Sequence, residues 1–196
     1  MMAVETPVRL TVEEYLAWEE KNFEKHEYID GEVRSMAGAN RRHNRIVWNL
    51  ATLIALEIDE SRCSAFIAEM KVKSAGLKET HYLYPDLCAV CGEERFESAS
   101  EIVLLNPVLA IEVSSPSSLV HDHGEKRDLY FDVPSIQTYL IIDQHRVCAE
   151  LNIRSESGWQ ATSFEKLDDV APIEVLDCNL PLAQVYRGIR FEPQVD

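Results

Sequence analysis

Two acidic residues stand where apolar runs begin or end, and an isolated carboxylate is costly to bury there. Asp86 lies near the start of the run 83–91, and Glu112 lies near the end of the run 107–113. If these runs form neighbouring strands, the two carboxylates and the carbonyl of Val113 could hold one Mg²⁺ or Mn²⁺ ion. Such an ion would keep its other positions for water and a phosphate oxygen. The alternative interpretation is that each acid only caps a strand or pairs with an arginine.

Lys126 could supply the cation of such a site. It lies in the segment 122–133, which is predicted to be a short helix after the Glu112 strand. The first turn of a crossover helix lies near the carboxyl end of the preceding strand. An ammonium there could orient an attacking water or offset charge on a phosphate. Tyr130 shares the same helix face. The alternative is a solvated lysine in a charged run.

Hydrophobic periodicity predicts the elements that must position these residues. Spacings of three and four predict a long helix over 42–57, and short apolar runs predict strands. Strand, helix and strand in succession favour a right-handed parallel crossover. The fold class is therefore an α/β or α+β domain with a mixed central sheet. The predicted elements, in chain order, are a helix after Thr11, a hairpin at Asp30-Gly31, the helix 42–57, strands over 64–72, 83–91 and 107–113, the helix 122–133, a strand over 138–143, an antiparallel pair over 147–154 and 159–167, and a helix after Pro181.

The same pattern predicts one shared core and one domain. The chain has 196 residues, of which 46% are hydrophobic, and Gly and Pro are sparse, so we expect a single globular domain over 1–196. No apolar run reaches the roughly 20 residues of a membrane helix, and a cytoplasmic location is expected. The residues predicted to share the core are Ile46, Leu50, Leu53, Ile54, Ile111, Val113, Tyr139 and Ile141.

Five cysteines are scattered along the chain. Their odd number does not predict a disulfide framework, and half-buried free thiols in a reducing compartment are expected. Cys88 and Cys91 form a CxxC pair within a strand-like run, so their side chains should point to opposite faces of a sheet. That arrangement does not favour a shared zinc ion.

Five short segments, taken in order, resemble a known family. They are EYIDGEVRSMAGA at 27–39, YPDLCAV at 84–90, LAIEVSSPSS at 109–118, DHGEKRDLYFDV at 122–133 and YLIID at 139–143. This set resembles the Uma-type restriction endonuclease family, bacterial proteins placed in the PD-(D/E)XK nuclease superfamily. The resemblance implies a restriction-endonuclease-like core over about 40–145. It also implies an N-terminal helix and hairpin over 11–36, and an antiparallel extension over 146–196.

The resemblance also implies a function and site residues. It implies Mg²⁺- or Mn²⁺-dependent hydrolysis of DNA, with Asp86 and Glu112 as metal ligands. In the superfamily a lysine stands two residues after the glutamate, where this chain has Ser114, and Lys126 matches the lysine on the following helix that replaces it. The accessory positions that match the family are Glu27, Glu32 and His43.

The charge of the chain bears on its partners. A formal charge of −15 argues against strong sequence-independent DNA binding, which needs lysine and arginine. If DNA is the substrate, the basic residues must gather around the site, and His43 should face the same groove. The predicted nucleic-acid contacts are Arg41, Arg42, Arg45 and Arg127. The alternative function is a non-catalytic interaction module, with a homodimer as one form of it.

Two further clusters have chemical alternatives. Ser114, Ser115, Ser117 and Ser118 could include a nucleophile, but no G-x-S-x-G motif is present and turn chemistry explains the loop more simply. The run 121–123, His-Asp-His, could bind a metal, although a solvated loop is the commoner state.

Overall fold

A computed structural model describes residues 8–36, 38–75, 80–114 and 119–191. The α-helices are α1 (Val12–Glu19), α2 (Arg41–Glu57), α3 (Leu119–Asp122), α4 (Glu125–Phe131) and α5 (Leu182–Val185). The strands are β1 (Val8–Arg9), β2 (His26–Ile29), β3 (Glu32–Ser35), β4 (Cys63–Ile67), β5 (Lys71–Ala75), β6 (Thr80–Leu83), β7 (Leu87–Cys91), β8 (Val103–Leu104), β9 (Leu109–Ser114), β10 (Thr138–Asp143), β11 (Ala149–Ser155), β12 (Gly158–Phe164), β13 (Val170–Ile173) and β14 (Cys178–Pro181).

The strands form two large sheets and a small hairpin. The N-terminal sheet has the order β1-β3-β2-β6-β5-β8, and the central sheet has the order β12-β11-β10-β9-β7-β4. The central sheet is mixed, because β9 and β10 run parallel whereas β7 pairs antiparallel with β9. The predicted fold class is confirmed, and so is the predicted pairing of the runs 83–91 and 107–113, through β7 and β9, although Asp86 itself lies one residue before β7.

Local sequence signals account for the best-predicted elements. Thr11 and Glu14 form a complete capping box at the start of α1, as their spacing predicts. Asp30 and Gly31 take φ values of 53° and 80° between β2 and β3, the positive-φ pair that a tight hairpin turn requires. The side chain of Asn40 caps the first backbone N–H groups of α2.

Two predicted strands are each divided between the sheets, which corrects the sequence interpretation. The run 64–72 separates into β4 in the central sheet and β5 in the N-terminal sheet. The run 83–91 divides in the same way, and its strands β6 and β7 are separated at Pro85, which has no N–H to donate to a ladder. The predicted helix 122–133 is also broken, because Gly124 lies between α3 and α4.

The residues predicted to share one core divide between two clusters, one on each face of the central sheet, and a third cluster is built around Tyr15, Tyr28 and Tyr82. The face covered by α2 and α5 packs the predicted residues of α2 together with Ile111 and Val113. Tyr139 and Ile141 belong to the other face, where they pack with Tyr130 of α4. The reason is the alternation of side chains along β10. Within the described residues, no helix is long and apolar enough to cross a membrane.

The expectation of free thiols is wrong for two of the five cysteines. Cys63 and Cys91 are directly opposed on β4 and β7 and form a disulfide. Cys88, Cys148 and Cys178 are free. Cys88 and Cys91 do pack on different faces of the sheet, as their spacing predicts. The pairing was hidden because strand register, and not sequence spacing, brings the bonded residues together.

Leu50→Ala should destabilise the protein by about 2–5 kcal/mol, since it removes a fully buried side chain and leaves a cavity. Leu50 is 1% exposed in the core beneath α2. The measurement is urea unfolding, with Leu167→Ala as the matched control because Leu167 is 50% exposed. Equal midpoints for the two variants would contradict the placement of α2.

Replacing Cys63 and Cys91 together by serine should lower the free energy of unfolding. The disulfide closes a loop with a sequence separation of 28, for which chain entropy gives about 3–4 kcal/mol. The measurement is chemical unfolding without reductant, with Cys148→Ser as control. Denatured, unreduced wild type should show three reactive thiols, and five would contradict the bond.

Candidate active site

The predicted pair of acids lies at one end of the central sheet. Asp86 directly precedes β7, and the ladder pairs Leu87 with Ile111 of β9. Continuing that register by one residue brings Asp86 beside Glu112. The backbone N–H of Val113 donates to Asp86 Oδ2 at 2.8 Å, which ties the end of one strand to the other. The strand pairing therefore places the two acids together.

Lys126 extends from α4 into the same place. Its Nζ lies 2.8 Å from Glu27 Oε1 and 2.8 Å from Glu112 Oε1, and its side chain is 5% exposed. The Nζ also donates to the carbonyl of Tyr84 at 3.5 Å. Tyr130, one helical turn later, donates its hydroxyl to Glu112 Oε1 at 2.8 Å. One ammonium thus joins α4, the central sheet and the N-terminal sheet.

Glu27 is the acid that this ammonium holds most firmly in its charged form. Burial opposes the charge, but Lys126, His121 and the N–H of Tyr84 outweigh burial and lower the pKa of Glu27 to about 2. The Tyr84 N–H lies 3.2 Å from Glu27 Oε1, and His121 Nε2 lies 3.7 Å from Glu27 Oε2. Burial also disfavours the charged ammonium, yet Glu112 and Glu27 raise the pKa of Lys126.

Glu112 is in the opposite situation. Burial raises its pKa well above the ordinary value, and the attraction of Lys126 is opposed by Asp86, Asp122 and Glu27. Carboxylates therefore outnumber the cation at this end of the sheet. The physical consequence is that the site favours a further positive charge, supplied either by a proton or by a cation from outside.

Two carboxylate oxygens at this end of the sheet could serve as ligands of a divalent metal ion. Lys126 and Tyr130 both engage Glu112 Oε1, and Asp86 Oδ2 takes the contacts to the Val113 N–H and His43. Glu112 Oε2 and Asp86 Oδ1 accept no hydrogen bond from the part of the chain that the structure describes, so both oxygens could serve as ligands. Among the same residues, no group of three or more His, Cys, Asp or Glu forms a ready-made metal cluster. Water and a carbonyl would have to supply the other ligands.

His43 and Glu32 have different positions relative to the acids. His43 Nε2 lies 3.0 Å from Asp86 Oδ2, whereas its buried Nδ1 has no partner within the described residues. Glu32 instead contacts Arg9 at 2.6 Å and Arg34 at 3.6 Å on the hairpin. His43 is thus part of the site, and Glu32 lies outside it.

The four predicted arginines do not form one strip. Arg42 reaches Nδ1 of His145 at 3.3 Å, beyond the end of β10. Arg41 and Arg45 line a surface hollow with Trp48; each is two residues from His43 and therefore points about 160° away from it around the helix. The structure does not bring them into the groove of His43. Arg127 contacts Asp128 at 3.1 Å and lies over the ring of Phe131.

The remaining candidates separate in the fold. His121 Nδ1 contacts Glu125 at 3.3 Å, whereas His123 contacts Glu150 at 3.3 Å, so the two histidines have different partners. Ser114 donates to the buried Asp122 at 2.8 Å, a partnership that the sequence analysis missed. The sequence indicated this hydrogen bond only by the presence of Asp122 eight residues after Ser114. The predicted candidates Ser115, Ser117 and Ser118 lie outside the described residues.

The mixed α/β fold is shared with a solved structure. The structure is similar to one described as the crystal structure of a putative nuclease belonging to DUF820 from Anabaena variabilis. The TM-score is 0.74 at 17% sequence identity, with 91% of this chain and 98% of that chain covered. At this identity the similarity shows the fold alone.

The family follows from the sequence comparison. The model of the Uma2 family, described as "Putative restriction endonuclease", matches residues 12–183, and the chain belongs to this family. Two relatives from Synechocystis sp. carry the names uncharacterized protein sll1609 and uncharacterized protein slr1290. The first is 39% identical over 74% of this chain and 80% of its own length. The second is 30% identical over 93% of this chain and 94% of its own length.

Lys126→Met should destabilise the protein in a pH-dependent way. Above pH 4.5, the ordinary pKa of a glutamate, the Glu27 carboxylate is charged and its pairing with Lys126 stabilises the folded protein. This contribution to stability is lost as the pH falls toward the folded pKa of about 2. Breaking a buried pair costs about 3–5 kcal/mol. The loss should thus be largest near neutral pH and should shrink below pH 4.5.

The measurement is urea unfolding of both proteins at neutral pH and in acid. Lys166→Met is the matched control, because Lys166 is exposed and its removal should change stability by less than about 0.5 kcal/mol at either pH. A loss in Lys126→Met that stays constant down to acid pH would exclude the pairing with Glu27.

Proposed function

We propose that this protein is a divalent-metal-dependent endonuclease that hydrolyses phosphodiester bonds of DNA. The observation that carries the proposal is the buried ammonium of Lys126, held 2.8 Å from Glu112 at the strand end where Asp86 also lies. An acid pair with an adjacent lysine suits phosphodiester hydrolysis, in which charge develops on phosphate oxygens. Membership of the Uma2 family supports this choice.

Each residue has a distinct role in this proposal. Asp86 and Glu112, with the carbonyl of Val113, would hold Mg²⁺ or Mn²⁺, which when bound would stabilise negative charge on the phosphate. Lys126 would orient the attacking water or donate to a phosphate oxygen. His43 holds Asp86 in place through the 3.0 Å contact to its Oδ2.

Two neighbours of the acid pair position it. Tyr130 donates to one oxygen of Glu112 and leaves the other oxygen for the ion. Glu27 shares the Lys126 ammonium, so it restricts where that ammonium can point. Both are positioning residues in this proposal, because neither needs to touch the phosphate.

DNA must approach a chain of formal charge −15. Arg42 is the arginine best placed to meet a phosphate near the site, because it lies beside His145 past the end of β10. Arg127 lies on α4 next to Lys126, and its side chain is 35% exposed. We propose that both arginines contact the phosphate backbone of DNA. The number of such contacts determines how strongly DNA binding depends on salt concentration.

One observation favours a second candidate, a non-catalytic interaction module. Lys126 and its partners Glu27 and Glu112 are closed in a buried set, with side-chain exposures of 5%, 8% and 6%. A structural role for the three would also explain their mutual contacts. Activity measurements with isosteric variants separate the two candidates.

Wild-type protein with Mg²⁺ or Mn²⁺ should cleave plasmid DNA, and Asp86→Asn and Glu112→Gln should each lower the rate by at least about 100-fold. Both variants keep side-chain shape, so folding should persist and is checked by circular dichroism. Lys126→Met, compared with Lys166→Met at matched folded fraction, should lose a similar factor. Calorimetric titration with Ca²⁺ should show binding to Lys126→Met but not to Asp86→Asn. Absence of metal-dependent cleavage of plasmid, linear and single-stranded DNA would favour the interaction module.

A further inference from the structure

The face of α2 that points away from the core carries large exposed apolar groups. Trp48 is 66% exposed and Leu56 is 78% exposed. Together with Arg41, Arg45 and Thr52 they form the outer stripe of α2, whose members recur at spacings of three and four along one helix face. The buried face of the same helix has its own partners in the core. The core therefore does not explain the outer stripe.

A cavity of about 390 Å³ lies beside the outer stripe, between α2 and the edge strand β4. Ala51, Ala55 and Ile58 of α2 line one side, and Ile67 of β4 and Leu87 of β7 are among the residues on the other. The small alanines leave space next to the helix. Because the cavity is lined mainly by apolar side chains, a large apolar side chain from outside would fill it favourably.

β4 adds a second exposed feature to this surface. It is the last strand of the central sheet, and its sequence Cys-Ser-Ala-Phe-Ile contains no charge and no proline. Edge strands of monomeric proteins usually carry charged residues or proline, which prevent pairing with a strand of another chain. Ile67 is 49% exposed on this strand. This edge is therefore open to contact with another chain.

Charge along α2 determines which partner fits. The helix begins with Arg41, Arg42 and Arg45, and the chain just beyond its end carries the exposed acids Asp59 and Glu60. A second copy can place its α2 antiparallel to the first, with a two-fold axis at Thr52. Each residue then faces the residue of the other copy whose number brings the sum to 104. Trp48 then faces Leu56, and the basic start of each helix faces the acidic end of the other.

We propose that this surface is a homodimer interface in which the outer stripes of two α2 helices pack antiparallel. Trp48 of one copy packs on Leu56 of the other and enters its cavity beside Ala55. Arg45 of one copy lies opposite Asp59 and Glu60 of the other. A two-fold axis makes each of these contacts twice, as an isologous interface requires.

DNA fits the same surface less well than a second copy. A phosphate backbone would meet Arg41 and Arg45 but would be repelled by Asp59 and Glu60. It would also leave Trp48 and the apolar cavity unused, since duplex DNA is recognised mainly by charged and polar groups. The inference does not depend on the proposed nuclease function, because none of these residues lies in the candidate active site.

The test is sedimentation equilibrium of the full chain over a wide concentration range. Wild type should form dimers, and Trp48→Glu should raise the dimer dissociation constant by about 30-fold or more, as expected for an aromatic hot spot. Phe23→Glu is the matched control, since Phe23 is a fully exposed aromatic residue outside the surface, and it should leave the dissociation constant unchanged. Wild type that remains monomeric throughout overturns the proposal.

A charge exchange tests the antiparallel arrangement. Arg45→Glu and Glu60→Lys should each weaken the dimer by about 5–10-fold, and the double variant should return to within about threefold of wild type. A double variant that dimerises more weakly than both single variants overturns the arrangement.

DNA binding is measured in parallel with Ca²⁺. If Arg45→Glu lowers DNA affinity and leaves association unchanged, the surface is a nucleic-acid contact and the proposal fails.

Discussion

The buried ammonium of Lys126 is the interaction on which the arrangement of the site depends. It joins Glu27 of the N-terminal sheet to Glu112 of the central sheet, and α4 carries it between them. Removing one partner of such a set leaves a charge without compensation in a medium of low dielectric constant, which costs more than the intact set contributes. Three separate parts of the fold are therefore held in register by one charge.

The same interaction leaves the site short of positive charge. One ammonium cannot neutralise Glu27 and Glu112 while Asp86 and Asp122 lie close enough to raise the pKa of Glu112. A purely structural cluster would be more stable with fewer acids. The surplus is understandable if a divalent cation completes the balance, because such an ion would take the carboxylate oxygens to which the described residues donate no hydrogen bond.

Sequence reasoning succeeded where the signal was local. The capping box at Thr11, the hairpin at Asp30 and the periodicity of α2 act within a few residues of chain, and the structure confirms each. The Cys63–Cys91 bond and the Glu27–Lys126 contact join residues far apart in sequence, so no spacing rule reveals them. The position of Arg41 and Arg45 opposite His43 is different, since helical geometry alone could have predicted it.

α2 thus has two faces with different roles in these proposals. Its inner face brings His43 to Asp86, and its outer stripe is the proposed contact with a second copy. With the two-fold axis at Thr52, the two His43 residues lie about 27 Å apart along the helix axis at 1.5 Å per residue. That separation corresponds to roughly eight base pairs of duplex at about 3.4 Å each. In the proposed dimer the two sites are therefore too far apart for directly opposed phosphates, and each copy would act at its own position on the DNA.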